Sequence, residues 1–237
     1  MAMQVHPLPG IFEPVGSLTH LGGALIFAIL AVFLVRRARG DSRRVVFLSV
    51  YAVSCVLLLS MSGLFHMLPE GSPARAILGR LDRASIFILI AGTHTPVHGM
   101  FFRGVVRWGG LIGTWMLAAL GIVLFTTFYD RMPPGLGASV YLILGWIAVG
   151  SGLAAWRRIQ RRHLALLVTG GLVYSIGAIL LILGWPNLVP RVLGPHEFWH
   201  FAVLAGMGFH WTFLFQHADR PIEVLSCEPG WSARTAA

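Results

Sequence analysis

His196 and His200 stand four residues apart at the head of an apolar run that continues to about Phe215. On a helix, positions i and i+4 share one face, with Cβ atoms about 5–6 Å apart, so two imidazoles at that spacing can bind one metal ion. Ionisable side chains in an apolar helix are costly and tend to mark function. His66 ends another apolar run, with Ser62 one turn before it, and Asp82 stands at the start of the next. Three neutral imidazoles can hold zinc and leave a fourth position for water, which zinc acidifies to a pKa of about 7. In this reading His66, His196 and His200 are the metal ligands. Asp82 shuttles the water's proton, and Ser62 contacts the water or a developing oxyanion. A carbonyl substrate held between the helices would then face a polarising metal and an activated nucleophile.

The elements that must position these residues are legible from composition. Of 237 residues, 56% are hydrophobic and 11% charged, where a soluble domain carries roughly 25% charge. The chain therefore reads as an all-α integral membrane protein of one domain. Apolar runs of near-spanning length cover about Gly16 to Val35, Val45 to Leu68, Arg83 to Phe102, Trp108 to Phe128, Ala138 to Trp156, Leu164 to Trp185 and His196 to Phe215. The expectation is a seven-transmembrane helix bundle over 16–216, a short leader over 1–15 and a polar tail over 217–237. Odd spans start, and even spans end, on the side of the N-terminus. His66, Asp82, His196 and His200 thus share one membrane level, and a zinc site between helices 2, 3 and 7 is expected there.

All 18 basic residues are arginine, and the absence of lysine excludes lysine chemistry such as a Schiff base. The net charge of +9 does not point to nucleic acid, because the arginines lie in short loops between apolar runs. Arginine there sets topology and meets lipid headgroups. Thirteen arginines fall on the side opposite the N-terminus and five on the same side. That bias predicts an N-terminus outside, a cytoplasmic C-terminus and a site facing outward. Cys55 and Cys227 offer neither a disulfide framework nor metal spacing.

Plainer readings compete at each position. Asp82 could cap the third helix. Ser62 could bond the carbonyl one turn back. The stretch from His196 to His200 also matches H-E-x-x-H, in which Glu197 would be the general base of an intramembrane metalloprotease. Paired histidines also suit a haem. A receptor or regulator that keeps zinc structurally is a further reading. A pore is disfavoured for want of a repeated polar stripe.

The segments Ser62 to His66, Leu81 to Pro96 and His196 to Phe201 together resemble the hemolysin III family. That family is related to the progestin and adipoQ receptors, including the adiponectin receptors, and more distantly to the alkaline ceramidases. Glu13 with Thr19 and His20 also resembles the opening motif of bacterial members. The resemblance implies a seven-helix bundle with zinc at His66, His196 and His200, and Asp82 and Ser62 beside its water. It implies hydrolysis of a ceramide-like lipid amide, with membrane lipids as the partners. Arg83 and His94 depart from the family pattern. Arg83 is read as an interfacial anchor, and His94 as bonding a neighbouring helix rather than lining a substrate cavity. His20, His98 and His210 are read as packing rather than as a proton path.

Overall fold

The computed structural model describes residue 8 and residues 10–133, 135–155, 161–189 and 192–219. Most of the expected leader and tail, Cys227 included, lies outside these residues. Among them the chain forms seven α-helices: α1 Pro14–Arg37, α2 Ser42–Met67, α3 Pro73–Phe101, α4 Gly104–Thr127, α5 Leu136–Ala155, α6 Arg161–Leu183 and α7 Pro195–His217. A 3-10 turn, Tyr129–Arg131, precedes α5. Consecutive helices pack antiparallel, and α7 returns against α1 to close the bundle.

The helices are apolar on their outer faces as well as inside. Leu25 and Ile26 of α1, Val53 of α2 and Met116 of α4 are all exposed. Such all-round apolarity belongs to a membrane bundle. Among the described residues, five helices are long and apolar enough to cross a bilayer: α1, α2, α4, α6 and α7. In α5 the described apolar stretch is Leu136–Ile147.

Local chemistry explains the helix ends. Asp41 accepts from the backbone N–H of Arg43 at 2.9 Å and of Arg44 at 3.3 Å, capping α2. Pro14, Pro73 and Pro195 occupy first turns, where the missing N–H costs nothing. The third helix begins at Pro73, ten residues before the apolar run suggests. Residues 74–83 carry Arg75, Arg80, Asp82 and Arg83, so hydropathy misses them. Ser72 caps the helix by accepting from Arg75 N–H at 3.2 Å. Asp82 is therefore a mid-helix residue and not a cap.

The main core joins α1, α2 and α7 through Leu34, Leu48, Leu59, Met207 and Phe213. Within it the Tyr51 hydroxyl donates to the Met207 carbonyl at 2.9 Å, tying α2 to α7. A smaller aromatic cluster of Phe87, Phe125 and Tyr141 seats α4 and α5 on α3. Gly63 lets α1 approach α2 closely. A Cβ there would lie 2.6 Å from Leu21 Cγ and 3.0 Å from the Leu21 backbone nitrogen. Backbone cannot move aside as a side-chain tip can. Gly63→Ala is expected to destabilise the bundle by about 1–3 kcal/mol, read as a lowered midpoint of thermal unfolding in detergent.

Candidate metal centre

The last turn of α2 carries His66, and the first two turns of α7 carry His196 and His200. Because α2 ends where α7 begins, the three rings meet. His196 Nε2 lies 3.2 Å from His66 Nε2 and 3.0 Å from His200 Nε2. His66 and His200 are buried, and one nitrogen from each of the three rings lies within 4.8 Å of the others.

A carboxylate fixes the tautomer of His66. Its Nδ1 is in contact with Glu13 Oε2. A carboxylate only accepts, so Nδ1 carries the proton and Nε2 turns its lone pair toward the other two rings. This is the carboxylate–histidine arrangement that orients metal ligands. Tetrahedral zinc with bonds of about 2.0–2.1 Å sets its nitrogens about 3.3 Å apart. The observed separations and the donor set fit that ion.

Glu13 is itself held in place. Its other oxygen accepts from Arg75, and Arg75 also donates to the Leu68 carbonyl and, at 3.4 Å, to that of Phe65. The Glu13 and Phe12 N–H groups donate to the carbonyls of His66 at 2.9 Å and Met67 at 3.0 Å. The carbonyls left open at the end of α2 are thus occupied by the segment before α1 and by α3. Burial works to raise the Glu13 pKa, but His66 and Arg75 outweigh it and hold the carboxyl at about 2. The sequence motif containing Glu13 pointed to this residue, though not to its role.

Helix α1 forms a third wall. The His20 ring stacks on His200 with centroids 3.8 Å apart and planes 24° apart. Gly16 lies so close that a Cβ would sit 3.2 Å from both His200 Cε1 and His66 Cγ. His20 does pack, as expected, but against a candidate ligand.

Asp82 and Ser62 are brought to the same place. Asp82 lies beside the Ser62 hydroxyl and His66, and all three line one cavity with His196 and His200. Ser62 and Asp82 thus face the same space. The cavity measures about 200 Å³, and its walls include Leu58, Ile86, Leu89, Trp199 and Val203. Its far end reaches His94 and His210. The His94 Nδ1 is buried without a hydrogen bond, and the ring lines the cavity. His210 Nε2 lies 3.0 Å from the Leu167 carbonyl, a packing role between α7 and α6. His98 also packs, with Nδ1 3.2 Å from the His94 carbonyl.

Two sequence candidates point elsewhere. Glu197 Oε2 accepts from the Gly194 backbone N–H at 2.8 Å, capping α7 and leaving the triad without its carboxylate. Arg83 lays its guanidinium 4.0 Å over the Tyr129 ring and donates to the Tyr129 carbonyl at 3.4 Å, as an anchor does.

The triad, Asp82 and Glu13 all lie within residues 11–211, which match the family described as Haemolysin-III related. The chain belongs to the haemolysin-III family. Hemolysin-3 of Bacillus cereus is 31% identical over 196 residues, covering 82% of this chain and 86% of that protein. The Hemolysin-3 homolog of Bacillus subtilis (strain 168) is 31% identical over 196 residues, covering 82% of this chain and 88% of that protein. The match runs through all the elements that carry the site in this haemolysin-III chain, from Glu13 to His200.

Glu13→Ala is expected to weaken metal binding by about 10–100-fold, as loss of a ligand-orienting carboxylate does; competition against a graded series of chelators reads this. Glu197→Ala is expected to cost about 0.5–2 kcal/mol of stability through loss of the cap with metal affinity unchanged. Loss of metal in that variant would reinstate Glu197 at the centre.

Proposed function

We propose that this protein is a seven-span membrane zinc enzyme that hydrolyses an amide or ester bond of a membrane lipid, in the manner of a ceramidase. The observation that carries the reading is the meeting of three imidazole nitrogens at one end of a largely apolar cavity. His66, His196 and His200 would hold the zinc, with Glu13 behind His66. Bound there, zinc supplies a Lewis acid and makes water available as a nucleophile at neutral pH.

The rest falls to the chain's own groups. Asp82 accepts the proton of the attacking water and returns it to the departing amine or alcohol, so one water is consumed and two products leave. Ser62 donates its hydroxyl hydrogen to Asp82 and holds the carboxylate toward the triad. The apolar walls exclude bulk water and take an acyl chain. From Asp82 to His94 the helix rises about 18 Å, enough for an extended lipid tail. The arginine bias supports an N-terminus outside the cell membrane and an active site near its outer face.

Metal content of the detergent-purified protein tests the first half of this reading. About one zinc per chain is expected in the wild type, and loss in both His66→Ala and His196→Ala. A well-folded wild type without metal would overturn it. The second half is tested by Asp82→Asn, expected to retain zinc and lose about 10²–10⁴-fold in hydrolysis of a ceramide or related lipid amide.

A further inference from the structure

At the opposite end of the bundle, the α1–α2 and α3–α4 turns enclose a second cleft of about 430 Å³. Arg43, Arg44, Arg103 and Arg107 line it, and Asp41 is the one acid among its lining residues. Phe47 and Met100 give it an apolar floor.

The charges are not balanced within the cleft. Asp41 spends one oxygen on capping α2 and turns the other to Arg44 Nε at 3.4 Å. Arg44 is buried and committed, with Nη1 donating to the carbonyls of His217 and Ala218 at 3.3 Å each. Arg107 is steadied from behind, its Nε donating to the Phe102 carbonyl at 2.7 Å, so its two terminal nitrogens remain as donors. Arg43 is exposed. Neither Arg43 nor Arg107 has a carboxylate partner among the described residues. Helix α4 starts between Arg103 and Arg107, and no side chain caps its N-terminus, so its first-turn N–H groups add positive potential at the rim.

We propose that this cleft binds a phosphate-bearing anion, and that the bilayer supplies it as the headgroup of an anionic phospholipid. Guanidinium forks match phosphate oxygens in geometry and charge. The neighbourhood favours a lipid over a soluble phosphate. Val105, Val106 and Trp108 stand exposed on the first turns of α4, beside the cleft. Apolar residues and a tryptophan at that depth belong at the boundary between headgroups and acyl chains. Basic pockets between helices at the arginine-rich face of a membrane are suited to anionic headgroups.

The test uses delipidated full-length protein in neutral detergent. Thermal unfolding is followed with added phosphatidylglycerol, phosphatidylcholine or inorganic phosphate. Phosphatidylglycerol is expected to raise the wild-type midpoint by about 5 °C or more, as a ligand binding only the folded state does, and phosphatidylcholine is not. Arg43→Glu and Arg107→Gln are each expected to lose most of that shift. Arg36→Glu/Arg39→Glu, on the same membrane face outside the cleft, is expected to keep it. A shift with inorganic phosphate that the cleft variants also abolish assigns the same site to a soluble source. Equal shifts in all variants would overturn the proposal in favour of diffuse surface charge, and no shift in the wild type would overturn it outright. Helical circular dichroism and a single size-exclusion peak show that each variant is folded.

Discussion

One carboxylate at the edge of the membrane level, that of Glu13, sets the geometry of this end of the protein. It stands between an imidazole and a guanidinium. Without Arg75, a buried carboxylate would have no full countercharge. Burying a charge demands a partner and well-placed hydrogen bonds, and this group has both. The knot joins the segment before α1, the end of α2 and the start of α3, with the Arg75 guanidinium 4.5 Å over the Phe65 ring and 5.3 Å from the Phe12 ring. It also closes the backbone at the end of α2, where open carbonyls at the level of an apolar phase would be expensive.

Polarity is distributed along the bundle in a way that separates chemistry from binding. Imidazoles, Ser62 and Asp82 gather at one end of a cavity whose walls are aliphatic and aromatic. Arginines gather at the other end of the bundle. Between them, Leu34, Leu48, Leu59 and Met207 form an interior as apolar as the lipid outside. With no hydrophobic gradient to drive helix association in a bilayer, close packing must supply it. The near-contact of Gly63 with Leu21 is one instance.

Much of this is legible in the sequence. Hydropathy gave the apolar runs, because a membrane helix needs near-continuous apolar sequence. Alternation of direction put His66, Asp82, His196 and His200 at one level without knowledge of the fold, and they do meet. The start of α3 was hidden by the charged segment between two runs. The first ten residues of α3 are helical because Ser72 and Pro73 start the helix there, yet their arginines conceal them from any hydropathy window. Glu13 could be noticed only as part of a motif, since its partners lie 53 and 62 residues away. The role of Glu197 was hidden by its place inside H-E-x-x-H. Three residues from Gly194, it is equally well spaced for a cap, and only the side-chain direction decides.

Gly16 and His20 give the cluster a wall from the first helix, while its three candidate ligands come from the second and the last. During synthesis, α1, α2 and α3 enter the membrane with Glu13 and Arg75 already able to close on His66. The remaining two nitrogens arrive only when the ribosome has passed residue 200. A chain interrupted before α7 therefore lacks two of the three imidazoles that could hold a metal ion. Any ligand that binds only the completed arrangement stabilises only finished molecules. The imidazole cluster is in this sense complete only once α7 has been made.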